Sequence, residues 1–158
     1  SCAFSGPGVV GGRDPYERVA VAFAVLYTSR GAPLLYYGDE VGLAGCGDPD
    51  NRRVMPWGPY TADQEWLKAR LQKLGTVRAA HPALRRGSRT TISVNADAWL
   101  YSMRSAEETV YVAINRGDGS ATLGGLPAQA LSELLEGTSV TGPSVTVPPR
   151  QARIYAVK

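Results

Sequence analysis

The sequence predicts a two-part molecule: an α/β segment up to about residue 87, followed by an all-β antiparallel sandwich. Three observations carry this reading. A helix that is apolar nearly all round is followed within a few residues by the short apolar run Leu34-Leu35-Tyr36-Tyr37, the αβ half of a parallel β/α repeat. An amphipathic helix is written into residues 64–80, with apolar positions at Trp66, Leu67, Leu71, Leu74 and Val77. Beyond Gly87, β-branched and aromatic segments recur between polar turns with no helix among them. The chain has 158 residues, 44% hydrophobic and 20% charged, which suits one globular domain or one and a piece of another. A complete eight-stranded β/α barrel takes about 200 to 250 residues, so this length excludes one.

Residues 1–13 are small and glycine-rich and read as a loop. Asp14-Pro15-Tyr16-Glu17 then starts a helix, with an N-cap acceptor, a proline at the first helical position and a carboxylate three residues after the cap. Gly31 ends it at Arg30. The run at 34–37 reads as a strand buried on both faces. Residues 38–60 form a long loop with five glycines and three prolines, and loops of that length in compact domains are usually functional. Thr61 with Gln64 supplies a capping box for the second helix, and Pro82 stops it. Strands are expected at 90–94, 99–103, 109–114, 131–135, 144–147 and 153–157, with turns at Asn95-Ala96-Asp97 and Asn115 to Gly119.

Charge and cysteine content narrow the function classes. The net charge is +3, and the 17 basic residues are scattered among acidic ones. With no basic run or aromatic-interleaved basic face, nucleic-acid binding is not expected. No apolar stretch is long enough to span a bilayer, so no membrane partner is expected either. Cys2 and Cys46 contain no C-x-x-C, which excludes a cysteine-based zinc site and leaves one possible disulfide.

Several constellations fail on context. Gly6-Pro7-Gly8-Val9-Val10-Gly11 fits the dinucleotide fingerprint, but the helix starts beyond it and no acidic residue stands about twenty positions on. Asp48-Pro49-Asp50-Asn51 resembles the start of an EF-hand loop, yet Arg52 and Arg53 occupy the positions where a ligand and the turn glycine belong. As a glycosidase pair, Asp48 and Asp50 would have the wrong pKa beside two arginines. Adjacent Asp39 and Glu40 would point to opposite faces of a strand. The single His81, near a helix C-terminus, has no nucleophile elbow to serve. Asp48 and Arg52 remain, four apart at the end of the glycine-rich loop. An accepting carboxylate and a fork of donors match a vicinal diol, and they equally match an internal salt bridge that shapes the loop.

Gly31-Ala32-Pro33-Leu34-Leu35-Tyr36-Tyr37-Gly38-Asp39-Glu40-Val41-Gly42-Leu43, followed by Asp48-Pro49-Asp50-Asn51-Arg52-Arg53-Val54-Met55-Pro56-Trp57, closely resembles the eighth barrel strand and its loop in the α-amylase family, glycoside hydrolase family 13. Asp14 to Ser29 resembles the seventh barrel helix, Gln64 to Arg86 the final one, and Arg89 to Lys158 the C-terminal β-sandwich called domain C. The resemblance implies an α/β plus all-β architecture, the last β/α units of a (β/α)8 barrel in residues 1–87 followed by an antiparallel β-sandwich in 88–158. It implies that Asp48 and Arg52 bind sugar hydroxyls at donor subsites, that Gly38 and Glu40 are structural, and that Trp57 either stacks on a sugar or packs the loop. The implied partners are a maltooligosaccharide or starch-like α-glucan and the remainder of the barrel, or a second copy by self-association. An extracellular parent is implied as well.

The family's aspartate nucleophile, glutamate acid/base and second aspartate lie on earlier strands, and SCAFSGPGVVGG lacks the usual N-H-D motif. The chain, which begins at Ser1, is therefore expected to be the C-terminal portion of an α-1,4-glucan-acting glycosidase, itself inactive, with no catalytic residue, metal or cofactor. A non-catalytic α-glucan-binding or subunit-like protein is the alternative, and a piece of a related α-glucosidase or transglycosylase is a second.

Overall fold

A computed structural model describes residues 12–157. Helix α1 spans Asp14–Tyr27. Its cap is Arg13 rather than Asp14, and no side chain caps it; Asp14 and Glu17 instead put negative charge in the first turn, where the helix dipole favours it. The helix ends before Arg30. The Thr28 hydroxyl donates to the Ala24 carbonyl at 2.6 Å and meets the Tyr101 hydroxyl. Helix α2 spans Ala62–Ala80 behind the complete Thr61/Gln64 capping box, and buries Leu67, Leu71, Leu74 and Val77 on one face. Pro82 cannot continue it, and a short helix α3, Pro82–Arg86, follows across His81.

The strands are β1 Ser88–Val94, β2 Ala98–Arg104, β3 Thr109–Asn115, β4 Ala121–Gly124, β5 Ala130–Glu133, β6 Ser139–Thr141, β7 Ser144–Val147 and β8 Gln151–Val157. Six form one sheet in the order β1-β2-β3-β8-β5-β6, while β4 and β7 pair alone. Every pairing is antiparallel. Side chains alternate between the sheet's faces. Tyr101, Met103, Val112, Ile114 and Ile154 enter a core with Phe23, Leu67, Leu74 and Leu84 of the helices. Leu100, Ala113 and Tyr155 pack the other way, on Leu123, Val145 and Val147 of the small sheet. The result is three layers: helices, a six-stranded sheet and a two-stranded sheet.

The apolar run at 34–37 departs from its expected buried parallel strand. It belongs to no ladder, and Leu34 is 86% exposed. A strand requires a neighbour to satisfy its backbone, and among the described residues none lies beside this segment. Strands β4 and β6 were not foreseen: β4 has a single buried residue and β6 none, so neither shows an alternation, whereas β7, as short as β4, alternates two buried valines.

Candidate functional site

The loop after residue 37 is shaped by two left-handed glycines. Gly38 has φ 91° and Gly42 φ 63°, a region that side-chain-bearing residues avoid. A Cβ on Gly38 would also sit 2.7 Å from Leu43. Between them a 3-10 turn, Asp39–Val41, buries Val41 completely. The Glu40 carboxylate accepts the Gly38 N–H at 2.9 Å, and Asp39 accepts the Tyr36 N–H at 3.3 Å. Both acids therefore hold the turn, which fits neither with a catalytic dyad.

A second 3-10 turn, Asp50–Arg52, sorts the remaining charges into two pairs. Arg53 donates through Nε and a terminal nitrogen to the two oxygens of Asp50, at 2.7 and 2.8 Å, and the Cys46 N–H reaches the same carboxylate at 3.0 Å. That hydrogen-bonded guanidinium, with the backbone N–H, holds the Asp50 carboxyl below its ordinary value. Asp50 and Arg53 thus close the loop. Asp48 and Arg52 form a separate pair at 2.9 Å with 62% and 69% of their side chains exposed. Asp48 is the only ion-pair partner of Arg52 among the described residues.

An open pocket of about 520 Å³ lies at the Arg52 side of this pair, lined by Tyr36, Tyr37, Asp39, Leu43, Asn51 and Arg52 among others. The two tyrosine rings lie 4.5 Å apart, and the Tyr37 hydroxyl donates to the Arg53 carbonyl at 3.0 Å. Sequence reasoning placed these tyrosines inside a sheet and so missed them as pocket walls; their phenolic hydroxyls were the only available signal. Trp57 is 86% exposed. An exposed carboxylate beside an exposed guanidinium can accept from one hydroxyl and donate to its neighbour, the chemistry that holds an uncharged polyol.

The other candidates are structural or lie elsewhere. His81 Nδ1 is 2.7 Å from Glu108, whose other oxygen accepts the Ala83 N–H at 3.0 Å, so the pair pins the α2–α3 junction to the β2–β3 connection. The glycine motif at 6–11 and Cys2 lie outside the described residues. Among the described residues no cluster of metal-ligating side chains occurs, and no helix is long and apolar enough to cross a membrane.

No family model matches the chain. It is 37% identical over 112 residues to a cyclomaltodextrin glucanotransferase of Geobacillus stearothermophilus, covering 71% of this chain and 15% of the relative. It is 31% identical over 152 residues to a cyclomaltodextrinase of Geobacillus thermopakistaniensis, covering 90% of this chain and 26% of the relative. The crystal structure of an α-amylase from Geobacillus thermoleovorans, complexed with acarbose, superposes with a TM-score of 0.83 at 26% identity, over 91% of this chain and 34% of that one. The chain thus spans about a quarter or less of the curated relatives described.

Proposed function

The chain belongs to the α-amylase family, glycoside hydrolase family 13, and from that premise we propose that it is the C-terminal portion of a glycosidase acting on α-1,4-glucans. In this reading residues 1–87 close a (β/α)8 barrel and residues 88–158 form domain C. The segment at 33–37 then becomes the last barrel strand once its neighbours are supplied, and the exposed apolar side chains of Leu34 and Tyr36 find cover there. One observation carries the functional part. Of the two carboxylate–guanidinium pairs in the loop, Asp50 with Arg53 is committed to the backbone, whereas Asp48 with Arg52 is preformed and exposed, with no further ion-pair partner among the described residues.

Held four apart on a turn fixed by its neighbours, the two groups meet adjacent sugar hydroxyls without first having to be ordered, which lowers the entropic cost of binding. They position a glucosyl unit and perform no proton transfer; the carboxylates that would do so are absent from this sequence. Incubation of the 158-residue chain with amylose is expected to release no reducing sugar. Titration with maltotriose is expected to give binding that Asp48→Ala weakens by about tenfold, the loss of one charge-assisted pairing. Binding unaffected by both Asp48→Ala and Arg52→Ala would remove the basis of the proposal.

A second reading has a specific observation behind it. The match to a cyclomaltodextrin glucanotransferase favours a parent that transfers glucosyl chains to sugar acceptors rather than to water. Product analysis of the full-length parent with maltoheptaose separates the two: longer or cyclic products mark transfer, and maltose with glucose marks hydrolysis. A non-catalytic glucan-binding protein is the outcome if that full-length polypeptide has no turnover at all.

A further inference from the structure

A second exposed aspartate–arginine pair stands elsewhere in the molecule, beside a groove between α1 and the β1–β2 turn. Asp97 and Arg116 are 3.4 Å apart with 61% and 72% of their side chains exposed, nearly the exposures of Asp48 and Arg52. Their backbones are fixed. The Arg116 N–H donates to the Asp97 carbonyl at 2.9 Å, joining two turns, and the Asn95 side-chain oxygen accepts the N–H groups of Asp97 and Ala98 at 2.9 and 2.8 Å. The groove has a volume of about 410 Å³. Val25 of α1, with Val94 and Trp99 of the hairpin, supplies apolar wall, and Arg18, Asp97 and Arg116 supply polar edge. A further cleft of about 330 Å³ continues from it, sharing Arg18, Val21, Asp97 and Arg116.

Arg18 adds an independent observation. Its terminal nitrogens are engaged, with Asp118 at 2.7 Å and the Arg116 carbonyl at 3.4 Å; the side chain is partly exposed, but its Nε is buried with no hydrogen-bond partner among the described residues. A buried donor left unpaired is costly, and this one belongs to a residue lining both cavities. Each arginine lining the two cavities is already ion-paired, Arg18 with Asp118, Arg116 with Asp97, and Arg150 with Asp14, Glu17 and Asp118. The surface therefore presents paired charges rather than an isolated one that would select an anion or a cation. An uncharged ring with hydroxyls on its rim and C–H groups on its faces satisfies both the polar edge and the apolar wall.

We propose that this groove is a second α-glucan site, taking a short α-1,4-linked glucosyl stretch at Asp97, Arg116 and Trp99, separate from the Asp48–Arg52 loop. The choice of ligand rests on the function proposed above; the location of the site does not. The Trp99 indole N–H, held by the Thr91 hydroxyl at 3.1 Å, provides a resolved reporter. In two-dimensional NMR of the isotope-labelled 158-residue chain, maltotriose is expected to shift the Trp99 indole and Asn95–Asp97 signals. Asp97→Ala is expected to weaken that response by about tenfold, and Asp48→Ala to leave it unchanged. Arg116→Ala, which keeps the backbone link to Asp97, is the second variant should Asp97→Ala disturb the turn. Groove signals that stay still throughout the titration overturn the inference, as does a shift equal in wild type and in both groove variants. If the loop signals move in an Asp48-dependent way while the groove is silent, this site fails and the loop reading stands. If the groove responds and the loop does not, the reverse holds.

Discussion

Arg78 is 6% exposed, and its guanidinium donates to the carbonyls of Tyr27 and Leu84 at 2.5 and 2.8 Å, of Ser29 at 2.8 Å, and of Gly31. It gathers the chain ends of α1 and α3 around one charge, and burial lowers its pKa, with the nearby Arg85 charge acting the same way. Arg78→Met leaves these carbonyls without their donor and is expected to cost about 3 to 5 kcal/mol in urea denaturation. Asp48→Ala and Arg52→Ala are exposed and should change stability by about 0.5 kcal/mol or less, so a loss of sugar binding in either cannot be ascribed to unfolding. Protonation separates residues further. Arg53 holds Asp50 low and Arg150 holds Asp118 low; burial pushes Glu136 up, but the hydrogen bond from Arg70 and the charges of Arg70, Arg153 and Lys73 outweigh it and leave it low. With folded values below unfolded ones, this stability is present above the ordinary carboxylate range and is lost as pH falls through the lowered values. Tyr155 behaves oppositely: burial, then the Glu133 carboxylate, push its phenol up to about 12. Its contribution is full below the unfolded value of about 10 and is lost as pH rises through the folded one. Thermal melts across both limits, with Tyr155→Phe removing the alkaline loss, check this assignment.

Among the elements, α2 was legible almost to the residue, because a capping box and a 3.6-residue apolar stripe are local signals. Thr61→Ala is expected to cost about 1 kcal/mol in the same denaturation assay. The junction between α3 and β1 depends on Gly87 for space, not for dihedral freedom: an added Cβ would lie 2.4 Å from the Ala83 carbonyl oxygen and 2.9 Å from that of Arg104. Gly87→Ala is therefore expected to destabilise by about 1 to 3 kcal/mol, as overpacking does; a melt unchanged from wild type would show that the backbone yields there at no cost. Of the seven-residue strands, β2, β3 and β8 announced themselves through alternation. β4 buries one residue and β6 none, so no period appears in them, while the equally short β7 shows one through its two buried valines. The segment at 34–37 misled for another reason. Its apolar run is a strand signal in the sequence, but pairing is a property of two segments, and among the described residues none pairs with it.

For the whole molecule, the helices and the six-stranded sheet share one core, while Leu34, Val54 and Trp57 stand 86 to 88% exposed. Large exposed apolar side chains around an unpaired extended segment favour association. The chain alone is expected to sediment above its monomer mass, and Leu34→Asp with Trp57→Ser to return it toward monomer; a monodisperse wild-type monomer would contradict this. By itself the sequence determined the local elements and the four-residue spacing of Asp48 and Arg52, since helix caps, alternation and turn glycines act over a few bonds. It could not say which aspartate of the loop would be tied to the backbone and which left exposed. Asp50 is engaged by Arg53 and the Cys46 amide and Asp48 is left exposed because the loop folds back upon itself. Likewise, Arg18, Asp97 and Arg116 meet at one groove only because α1 lies across the sheet. Burial, partner choice and cavity shape are set by residues far apart in the chain, and only packing brings them together.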